Sequence, residues 1–409
     1  MTNTSADFQR VLQPLQLGPL TLRNRVIKSA TNEGMAPQGF PTKALVEHHR
    51  SMAAGGVGMT TVAYCAVSAD GRTFPGQVTL NAESVPHLRV LTDAVHREGA
   101  AVCAQITHGG AFNFLPELST RYPFSASGGF NAPGALTGRY FKSAMSPFDM
   151  AQRREEFVAA ARTARECGFD AVEIHMGHGY LLSQFLSPKY NRRRDAYGGD
   201  AAARAKFPLE VLAAVLDAVG DTLAVTCKIS MFEDFRGGAT VEDSIIVSRA
   251  LSAQGAHLIV LSAGMNVETP WTIFGSRMPK TVTNGSSLMM RMANQILQWQ
   301  QPKIEFHDLY LLEAARRIRA QVKTPLGYLG GAKSVEGIEQ VMRDSFDAVV
   351  MGRALIHQPD LVRRFASGEL QRSGCTACNQ CVAMMYTPAG THCPLNSQGN
   401  TELNRLPAA

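Results

Sequence analysis

Short apolar runs rich in β-formers alternate along the chain with longer segments of helical periodicity. Each run is too short for an ordinary helix, and Gly, Ser or Asn follows within a few residues. Eight runs separated by helix-length segments predict parallel strands joined by crossover helices. The runs are Val26–Ala30, Met59–Ala66, Ala101–Thr107, Ala171–His175, Ala224–Ile229, Leu258–Leu261, Leu326–Leu329 and Ala348–Met351.

Helix boundaries are marked in several of the intervening segments. Ser146 and Pro147 are suited to the N-cap and first turn of a helix over Asp149–Cys167, and Gly168 is suited to its end. Three further helices are predicted at Ser84–Glu98, Asp308–Gln321 and Pro359–Ala366.

The predicted fold class is α/β, as a (β/α)8 TIM barrel with a short cysteine-rich C-terminal extension. An open doubly wound sheet usually has fewer strands, and no strand here is followed by GxGxxG. We expect the barrel to occupy residues 1–368 and the tail residues 369–409. The long loop Gly264–His307 is expected to shape one wall of a binding pocket, with contributions from Trp271, Phe274, Met289 and Met290.

Composition and charge narrow the class of protein. The chain has 409 residues, 45% of them apolar and 18% charged, as in ordinary globular proteins. The N-terminus lacks the apolar core of a signal peptide, and no apolar run reaches the ~18 residues of a membrane span. We therefore expect a cytoplasmic protein. The formal charge of +6 comes from scattered basic residues without interleaved aromatics, which indicates a solvated surface and no nucleic-acid partner.

Polar residues recur where the predicted strands end, which is where the chemistry of such barrels takes place. The sharpest of these signals follows the fourth strand, with His175 at its end and His178 and Tyr180 on the loop. Two imidazole N–H groups could hold one substrate oxygen and stabilise charge on it, and Tyr180 could donate a proton nearby. A pair of structural histidines is the alternative. A metal site is disfavoured because no carboxylate follows at a useful spacing.

These residues and their flanking motifs resemble the old yellow enzyme family of FMN-dependent oxidoreductases over residues 8–368. The motifs are Leu22-Arg-Asn-Arg25, Gln105-Ile-Thr-His108, His175-x-x-His178-Gly-Tyr180, Asn191-x-Arg-x-Asp195-x-Tyr-Gly-Gly199 and Met351-Gly-Arg353.

The resemblance implies that FMN lies across the C-terminal mouth of the barrel. Gln105 would contact the pyrimidine edge of the flavin, Lys228 would stabilise the anionic reduced flavin, and Arg353 would neutralise the phosphate. Asn32 stands where relatives carry Thr or Cys, which argues against a covalent flavin. The implied cofactor-binding set is Ser29, Ala30, Thr31, Asn32, Tyr64, Gln105, Lys228, Gly330, Gly331, Gly352 and Arg353.

The resemblance also implies the reaction. NAD(P)H would reduce the flavin, and the flavin would pass hydride to an activated alkene whose carbonyl oxygen is held by His175 and His178. Tyr180 would supply the proton. Tyr64 departs from the small residue of many ene-reductases and resembles the aromatic residue of trimethylamine dehydrogenase. A tyrosine that only packs is the alternative at that position.

The eight cysteines fall into two groups. Four are isolated in apolar runs and are predicted to be buried inert thiols: Cys65, Cys103, Cys167 and Cys227. The other four form the pattern Cys375-x2-Cys378-x2-Cys381-x11-Cys393. This spacing suits a [4Fe–4S] cluster and resembles the cluster segments of 2,4-dienoyl-CoA reductase and trimethylamine dehydrogenase. Zinc, or no metal at all, are the alternatives.

Three functions remain open from the sequence. The first is an NAD(P)H-dependent ene-reductase, and the second is an iron–sulfur flavoprotein dehydrogenase that passes electrons to a partner protein. The third is a non-catalytic FMN-binding barrel. We expect a small-molecule substrate, a homo-oligomer and no membrane partner. NADH and NADPH are not distinguished.

Overall fold

The computed structural model describes residues 5–135, 138–279, 295, 298–397 and 399–408. Eight parallel strands close into one barrel in chain order, and the last strand pairs with the first through Val349 and Val26. The barrel prediction is therefore confirmed. The strands are β1 (Val26–Lys28), β2 (Met59–Ala66), β3 (Ala101–Thr107), β4 (Ala171–Met176), β5 (Ala224–Ser230), β6 (Leu258–Ser262), β7 (Leu326–Leu329) and β8 (Ala348–Met351).

A helix follows each strand along the chain. The third begins as predicted, because the Ser146 hydroxyl accepts from the backbone N–H of Asp149 and the Asp149 carboxylate accepts from that of Ser146. The barrel helices are α1 (Lys43–Ala54), α2 (Val85–Arg97), α3 (Pro147–Glu166), α4 (Ala201–Val219), α5 (Val241–Gln254), α6 (Leu312–Arg319), α7 (Val335–Arg343) and α8 (Leu361–Ala366).

Shorter elements fill the connections. Outside the barrel helices the structure has helices at Ala6–Val11, Ala132–Ala135, Leu181–Leu186, Pro270–Phe274, Arg353–His357 and Gln380–Met384, and a 3₁₀ turn at Ala82–Ser84. A small sheet over the third loop comprises Phe124–Ser125, Gly129–Phe130 and Phe141–Ala144. Within the described residues no helix combines the length and the apolarity that a membrane crossing requires.

An apolar plug fills the N-terminal end of the barrel. The hairpin Leu15–Leu17 and Leu20–Leu22 packs in one buried cluster with the first residues of the strands, among them Met59, Ala171 and Leu258. Charged residues are thereby left to the opposite end of the barrel interior, where the strands finish and the βα loops begin.

Candidate active site

A buried polar chain links three strand ends of the barrel. Gln105 on β3 donates its amide to the Glu173 carboxylate on β4 at 2.7 Å. The same Glu173 oxygen lies 2.9 Å from the Lys228 ammonium on β5, which also reaches the Ser29 hydroxyl at 3.3 Å. Parallel pairing produces this arrangement, because Gln105 is in register with Glu173, and Lys228 with His175. Gln105 and Lys228, two predicted flavin contacts, are thus brought together.

A second buried ion pair lies at the first strand. The Lys28 ammonium is 2.6 Å from the Glu33 carboxylate, and both side chains are almost fully buried. Lys28 also donates to the Thr61 carbonyl at 3.3 Å, and Glu33 accepts from the Ala63 N–H at 3.2 Å. Burial lowers the pKa of Lys28 and raises the pKa of Glu33, and their mutual attraction opposes both shifts.

His175, His178 and Tyr180 form one aromatic cluster. The ring centroid of His175 lies 5.0 Å from that of His178 and 4.7 Å from that of Tyr180. Phe112 packs edge-on against Tyr180 with centroids 5.7 Å apart, and Tyr64 approaches Tyr180 to 5.2 Å. The structure therefore brings together the three residues predicted to be catalytic, with Tyr64 beside them.

The backbone at His178 is held in an uncommon conformation. Its φ is +60°, a left-handed value that costs a non-glycine residue about 1 kcal/mol. The Ser230 hydroxyl accepts from its N–H at 3.0 Å, and its carbonyl accepts from the Asn266 N–H at 3.1 Å. Strain that is held by specific partners on two neighbouring loops is typical of functional positions.

Both imidazoles are neutral near pH 7. Burial, with His178 and Lys228 adding to it, lowers the pKa of His175 far below its usual range. Burial, followed by the charge of Lys228, lowers the pKa of His178 to about 3. Because His175 Nδ1 accepts from the Gly177 N–H at 3.3 Å, its proton is on Nε2. His178 Nε2 lies 2.8 Å from the Ser262 hydroxyl, so the hydroxyl can set the tautomer of that ring.

Tyr180 keeps its proton at neutral pH. Burial raises the pKa of Tyr180 to about 12, and the neighbouring Tyr64 and Asn266 side chains oppose this shift. The Tyr64 hydroxyl is 3.0 Å from the Thr73 hydroxyl, and burial raises its pKa well above the usual value. Both phenols are therefore neutral donors beside the histidine pair.

The glycine turns after β7 and β8 differ in what surrounds them. Gly331 has a φ of +86°, and an added Cβ would lie 2.9 Å from the ring of Tyr310, so the close approach requires glycine. Gly352 is less confined, since an added Cβ would come no closer than 3.6 Å to Thr31.

Arg353 begins the short helix after β8 and binds neighbouring protein groups. Its guanidinium donates to the Ser276 hydroxyl at 3.0 Å and to the Ala377 carbonyl at 3.3 Å. It also donates to the side-chain oxygen of Asn379 and to the backbone carbonyl of Phe274. The residue thereby ties the cysteine tail to the barrel. Its predicted role as counter-charge to a phosphate stays a prediction.

The long loop after β6 reaches this region. Trp271 is buried, and the guanidinium carbon of Arg353 lies 5.6 Å from the ring centroid of Phe274. Met289 and Met290, which were expected to share this wall, lie outside the described residues.

The four isolated cysteines are buried, as predicted, but a metal site at the four tail cysteines is not confirmed. Cys65, Cys103, Cys167 and Cys227 are buried and free. In the tail, Cys381 and Cys393 are buried, Cys375 is half-buried and Cys378 is exposed. Burial raises the pKa of Cys381 to about 12, with Arg353 opposing the shift and the other three tail thiols contributing to it. In the part of the chain that the structure describes, no three His, Cys, Asp or Glu side chains form a ready-made metal site.

Sequence reasoning missed three polar residues of this site. Lys28 and Glu33 form one buried ion pair, and Glu173 is the partner of Lys228 in the other. Ser262, the polar residue at the end of β6, is the partner of His178. A charge within an otherwise apolar strand run was a usable signal for Lys28 and Glu173, because such a charge in a barrel interior needs a buried partner.

Comparisons with known proteins agree on one family. Residues 10–371 match the NADH:flavin oxidoreductase / NADH oxidase family. A 4,4'-dithiodibutanoate disulfide reductase of Rhodococcus erythropolis is 37% identical over 95% of this chain and 96% of its own length. A 2-naphthoyl-CoA reductase structure superimposes with a TM-score of 0.79 at 21% identity, covering 97% of this chain and 58% of that one. An old yellow enzyme homologue from Zymomonas mobilis gives 0.70 at 22% identity, covering 96% and 99%.

Proposed function

Because the chain belongs to the NADH:flavin oxidoreductase / NADH oxidase family, we propose that it reduces the C=C bond of α,β-unsaturated carbonyl compounds. The resemblance to old yellow enzymes is confirmed, and the chain is an FMN-dependent NAD(P)H oxidoreductase. The observation that carries the finer proposal is the cluster of His175, His178 and Tyr180 at the mouth of the barrel. Bound FMN would supply the hydride chemistry between NAD(P)H and the alkene.

The barrel mouth has the donors that a flavin requires. Gln105 and Lys228 would face the pyrimidine edge, and the turns at Gly331 and Gly352 would receive the phosphate. One buried polar atom on the same face of β3 as Gln105, the Thr107 hydroxyl, has no hydrogen-bond partner within the described residues. Buried polar groups are normally satisfied, so this hydroxyl supports a polar ligand at this place.

The two histidines would hold the carbonyl oxygen of the substrate. His175 directs its Nε2 proton away from Gly177. His178 can donate from Nδ1 if the Ser262 hydroxyl donates to Nε2, which makes Ser262 a positioning residue. Neutral N–H donors stabilise the negative charge that develops on the oxygen. They also avoid the cost of burying a charged imidazolium in the site.

Tyr180 would deliver the proton to the α-carbon. Its raised pKa keeps the phenol protonated at neutral pH. Its ring lies 4.7 Å from that of His175, which supports a role close to the held carbonyl group. Loss of a positioned proton donor lowers the rate about 10²- to 10⁴-fold.

Tyr180→Phe tests this proposal in two half-reactions. Flavin reduction by NADPH should be within a few-fold of wild type, while reoxidation by 2-cyclohexenone should slow by about 10²-fold or more. Tyr140→Phe changes a half-exposed tyrosine just before the small-sheet strand Phe141–Ala144 and serves as the matched control. Equal reoxidation rates in Tyr180→Phe and wild type would exclude Tyr180 as the donor.

An organic disulfide is a second candidate substrate, favoured by the relative from Rhodococcus erythropolis that aligns over nearly its whole length. The overall reaction would convert one disulfide, one NAD(P)H and one proton into two thiols and NAD(P)⁺. Tyr180 could protonate the leaving thiolate, and the neutral His178 could donate a hydrogen bond to it. Steady-state rates with 2-cyclohexenone and with 4,4'-dithiodibutanoate, measured on one preparation, would rank the two candidates.

The cysteine tail supports a third proposal, that Cys375, Cys378, Cys381 and Cys393 hold a [4Fe–4S] cluster serving an electron-transfer partner. Their spacing favours it. Because of this cysteine pattern, we propose that residues 369–409 form a tail distinct from the barrel. Iron and acid-labile sulfide assays on anaerobically purified protein test it, with about four of each per chain expected.

A further inference from the structure

A buried imidazole adjoins the ion pair of Lys28 and Glu33. His49 lies on the buried face of α1, and its Nε2 atom is 3.8 Å from the Glu33 carboxylate oxygen that pairs with Lys28. The other ring nitrogen, Nδ1, is 2.7 Å from the Thr60 hydroxyl on β2. His48 packs edge-on against His49, with ring centroids 5.3 Å apart. A carboxylate, an ammonium and two imidazoles are thus packed together between the barrel and its first helix.

The two imidazoles are placed to carry a proton to Glu33. The Nε2 atom of each ring is buried and has no hydrogen-bond partner within the described residues. Burial, followed by the charge of Lys28, lowers the pKa of both rings well below the usual range, so each can pass a proton on without retaining it. His49 is fully buried, whereas His48 is half-buried. A path therefore runs from the flank of α1 through the imidazole pair to the carboxylate.

The Glu33 carboxylate also joins two segments that are proposed to contact the flavin. It accepts from the Thr31 hydroxyl at 3.3 Å and from the Ala63 N–H at 3.2 Å. Thr31 belongs to the proposed contacts at residues 29–32, and Ala63 directly precedes Tyr64, which is another of them. A charge that appears on the flavin would therefore act on this carboxylate through the buried interior, where screening is weak.

The cysteine tail covers the other side of this loop. The Thr391 N–H donates to the Glu33 carbonyl at 2.7 Å, and its hydroxyl donates to the Asn32 carbonyl at 2.6 Å. A Cβ added to Gly34 would clash with the Met385 carbonyl oxygen, so the two segments are in close contact. The tail thus separates Glu33 from solvent on its own side and leaves the side of α1 to the imidazole pair.

The buried charges of the barrel mouth are balanced before the flavin is reduced. Lys28 offsets Glu33, and Lys228 lies 2.9 Å from Glu173. Hydride transfer from NAD(P)H adds one negative charge to the bound flavin, and an added buried charge is costly unless it is compensated. A proton bound nearby would compensate it. The titratable groups around the Glu33 carboxylate are Lys28 from β1, His48 and His49 from α1, Tyr64 and Cys65 from β2, and Lys228 from β5, which acts on Lys28.

Among these groups Glu33 is the one able to hold a further proton. Burial raises the pKa of the Tyr64 phenol and of the Cys65 thiol above their usual values, so both already carry their protons. The imidazoles are kept neutral by burial. Burial raises the pKa of Glu33, and Lys28 opposes this shift. A negative charge on the flavin would raise that pKa further, so a proton would bind on reduction and leave on reoxidation.

We propose that Glu33 takes up one proton from solvent, by way of His49, each time the flavin is reduced, and releases it on reoxidation. In the first half-reaction hydride passes from NAD(P)H to the flavin, NAD(P)⁺ leaves, and a solvent proton forms an O–H bond on Glu33. In the second, hydride passes to the acceptor, whose own proton comes from Tyr180 as proposed above, and Glu33 returns its proton to solvent. The inference rests on the proposed flavin contacts at residues 29–32 and Tyr64, and it holds for any acceptor.

The pH dependence of the flavin midpoint potential counts the protons bound. A two-electron couple shifts by about 30 mV per pH unit for each proton, so wild type should fall by about 60 mV per pH unit near pH 7, with one proton on the flavin and one on Glu33. Lys28→Met/Glu33→Gln should fall by about 30 mV. The double variant is used because Lys28, neutral once Glu33 is gone, could take the proton instead. Glu156→Gln removes a half-buried carboxylate paired with Arg153 on α3 and should behave like wild type.

Two further measurements locate the proton and its route. Infrared difference spectra of reduced minus oxidised enzyme should gain a band of a protonated carboxyl group in wild type and in Glu156→Gln, but not in Glu33→Gln. In His49→Gln the final proton count should be that of wild type, but uptake, followed with a pH indicator in stopped flow, should slow by about 10²-fold relative to flavin reduction. His96→Gln changes an exposed histidine paired with Asp170 and should show no such lag.

Each outcome decides one claim. A slope of about 30 mV per pH unit in wild type, or of about 60 mV in the double variant, would overturn the proposal, the latter by placing the second proton on the flavin. A carboxyl band that persists in Glu33→Gln would overturn Glu33 as the acceptor, and uptake that keeps pace with flavin reduction in His49→Gln would exclude His49 as the donor. The expected slopes in a wild-type enzyme that does not reduce 2-cyclohexenone would refute the proposed function and support this inference.

Discussion

The buried pair of Lys28 and Glu33 gives a prediction whose size follows from the structure. Glu33→Gln removes the carboxylate 2.6 Å from the Lys28 ammonium and leaves that ammonium with the Thr61 carbonyl at 3.3 Å. Breaking a buried pair by removing one partner costs about 3–5 kcal/mol. An upper bound comes from deprotonating Lys28 instead. Starting from a pKa of 10.5, this costs about 5 kcal/mol at pH 7.

If Lys28 deprotonates, the loss of stability in Glu33→Gln depends on pH, and the direction of that dependence is defined. In Glu33→Gln the folded state holds Lys28 neutral, while the unfolded state stays protonated up to its ordinary pKa of 10.5. Stability relative to wild type is therefore regained as pH rises, by about 1.4 kcal/mol per pH unit between pH 7 and 10. Lys28→Met strands Glu33 instead, so its penalty should grow with rising pH. The double variant Lys28→Met/Glu33→Gln should be more stable than either single variant.

Urea unfolding with saturating FMN at pH 7 and pH 9 measures the free energy of unfolding of Glu33→Gln, Lys28→Met and the double variant relative to wild type. The expected penalty for Glu33→Gln at pH 7 is about 3–5 kcal/mol, falling by about 3 kcal/mol at pH 9. A penalty below about 1 kcal/mol at pH 7 would mean that the pair contributes no more than an exposed one. A penalty that did not fall with pH would refute the argument that Lys28 deprotonates.

Three further outcomes are expected. Burial raises the pKa of Glu233 to about 7, so the protonated carboxyl stabilises the folded state, and this stability is lost as pH rises from about 4.5 through 7. Wild type should therefore lose up to about 3 kcal/mol of unfolding free energy between pH 5 and pH 8 through this group, and urea unfolding of Glu233→Gln should lack that loss. Gly34→Ala should expose the tail to limited proteolysis, whereas Gly237→Ala, which has a similar positive φ but open space around it, should show only the backbone strain of about 1 kcal/mol. Lys228→Met should purify with less FMN than wild type, judged by flavin absorbance per protein, while the exposed Lys323→Met should not; equal flavin in both would argue against Lys228 as a flavin contact.

The barrel could be predicted because its signals are local. Apolar runs, the Ser146 cap and glycine stops each act over a few residues, and parallel pairing then fixes which strand ends meet. The meeting of Gln105 with Lys228 through Glu173 follows from that topology.

Other parts of the site depend on tertiary contacts that the sequence pattern does not encode. The left-handed backbone of His178 is held by residues on other loops, among them Ser230 and Asn266. Arg353 was predicted to face a phosphate, and its contacts with Ala377 and Asn379 depend on where the tail packs.

The path of the tail has a consequence for biosynthesis. Residues that hold the tail in place, Thr391 at the first βα loop and Asn379 at the last, are translated after the whole barrel has been translated. A nascent chain that has emerged only as far as α8 would therefore have all eight strands but no tail packed against the loops that follow β1 and β8. Cofactor loading during translation would take place in a more open cleft than loading after release. Stalled chains of increasing length, probed for flavin retention, would show at which residue the cleft becomes able to keep its ligand.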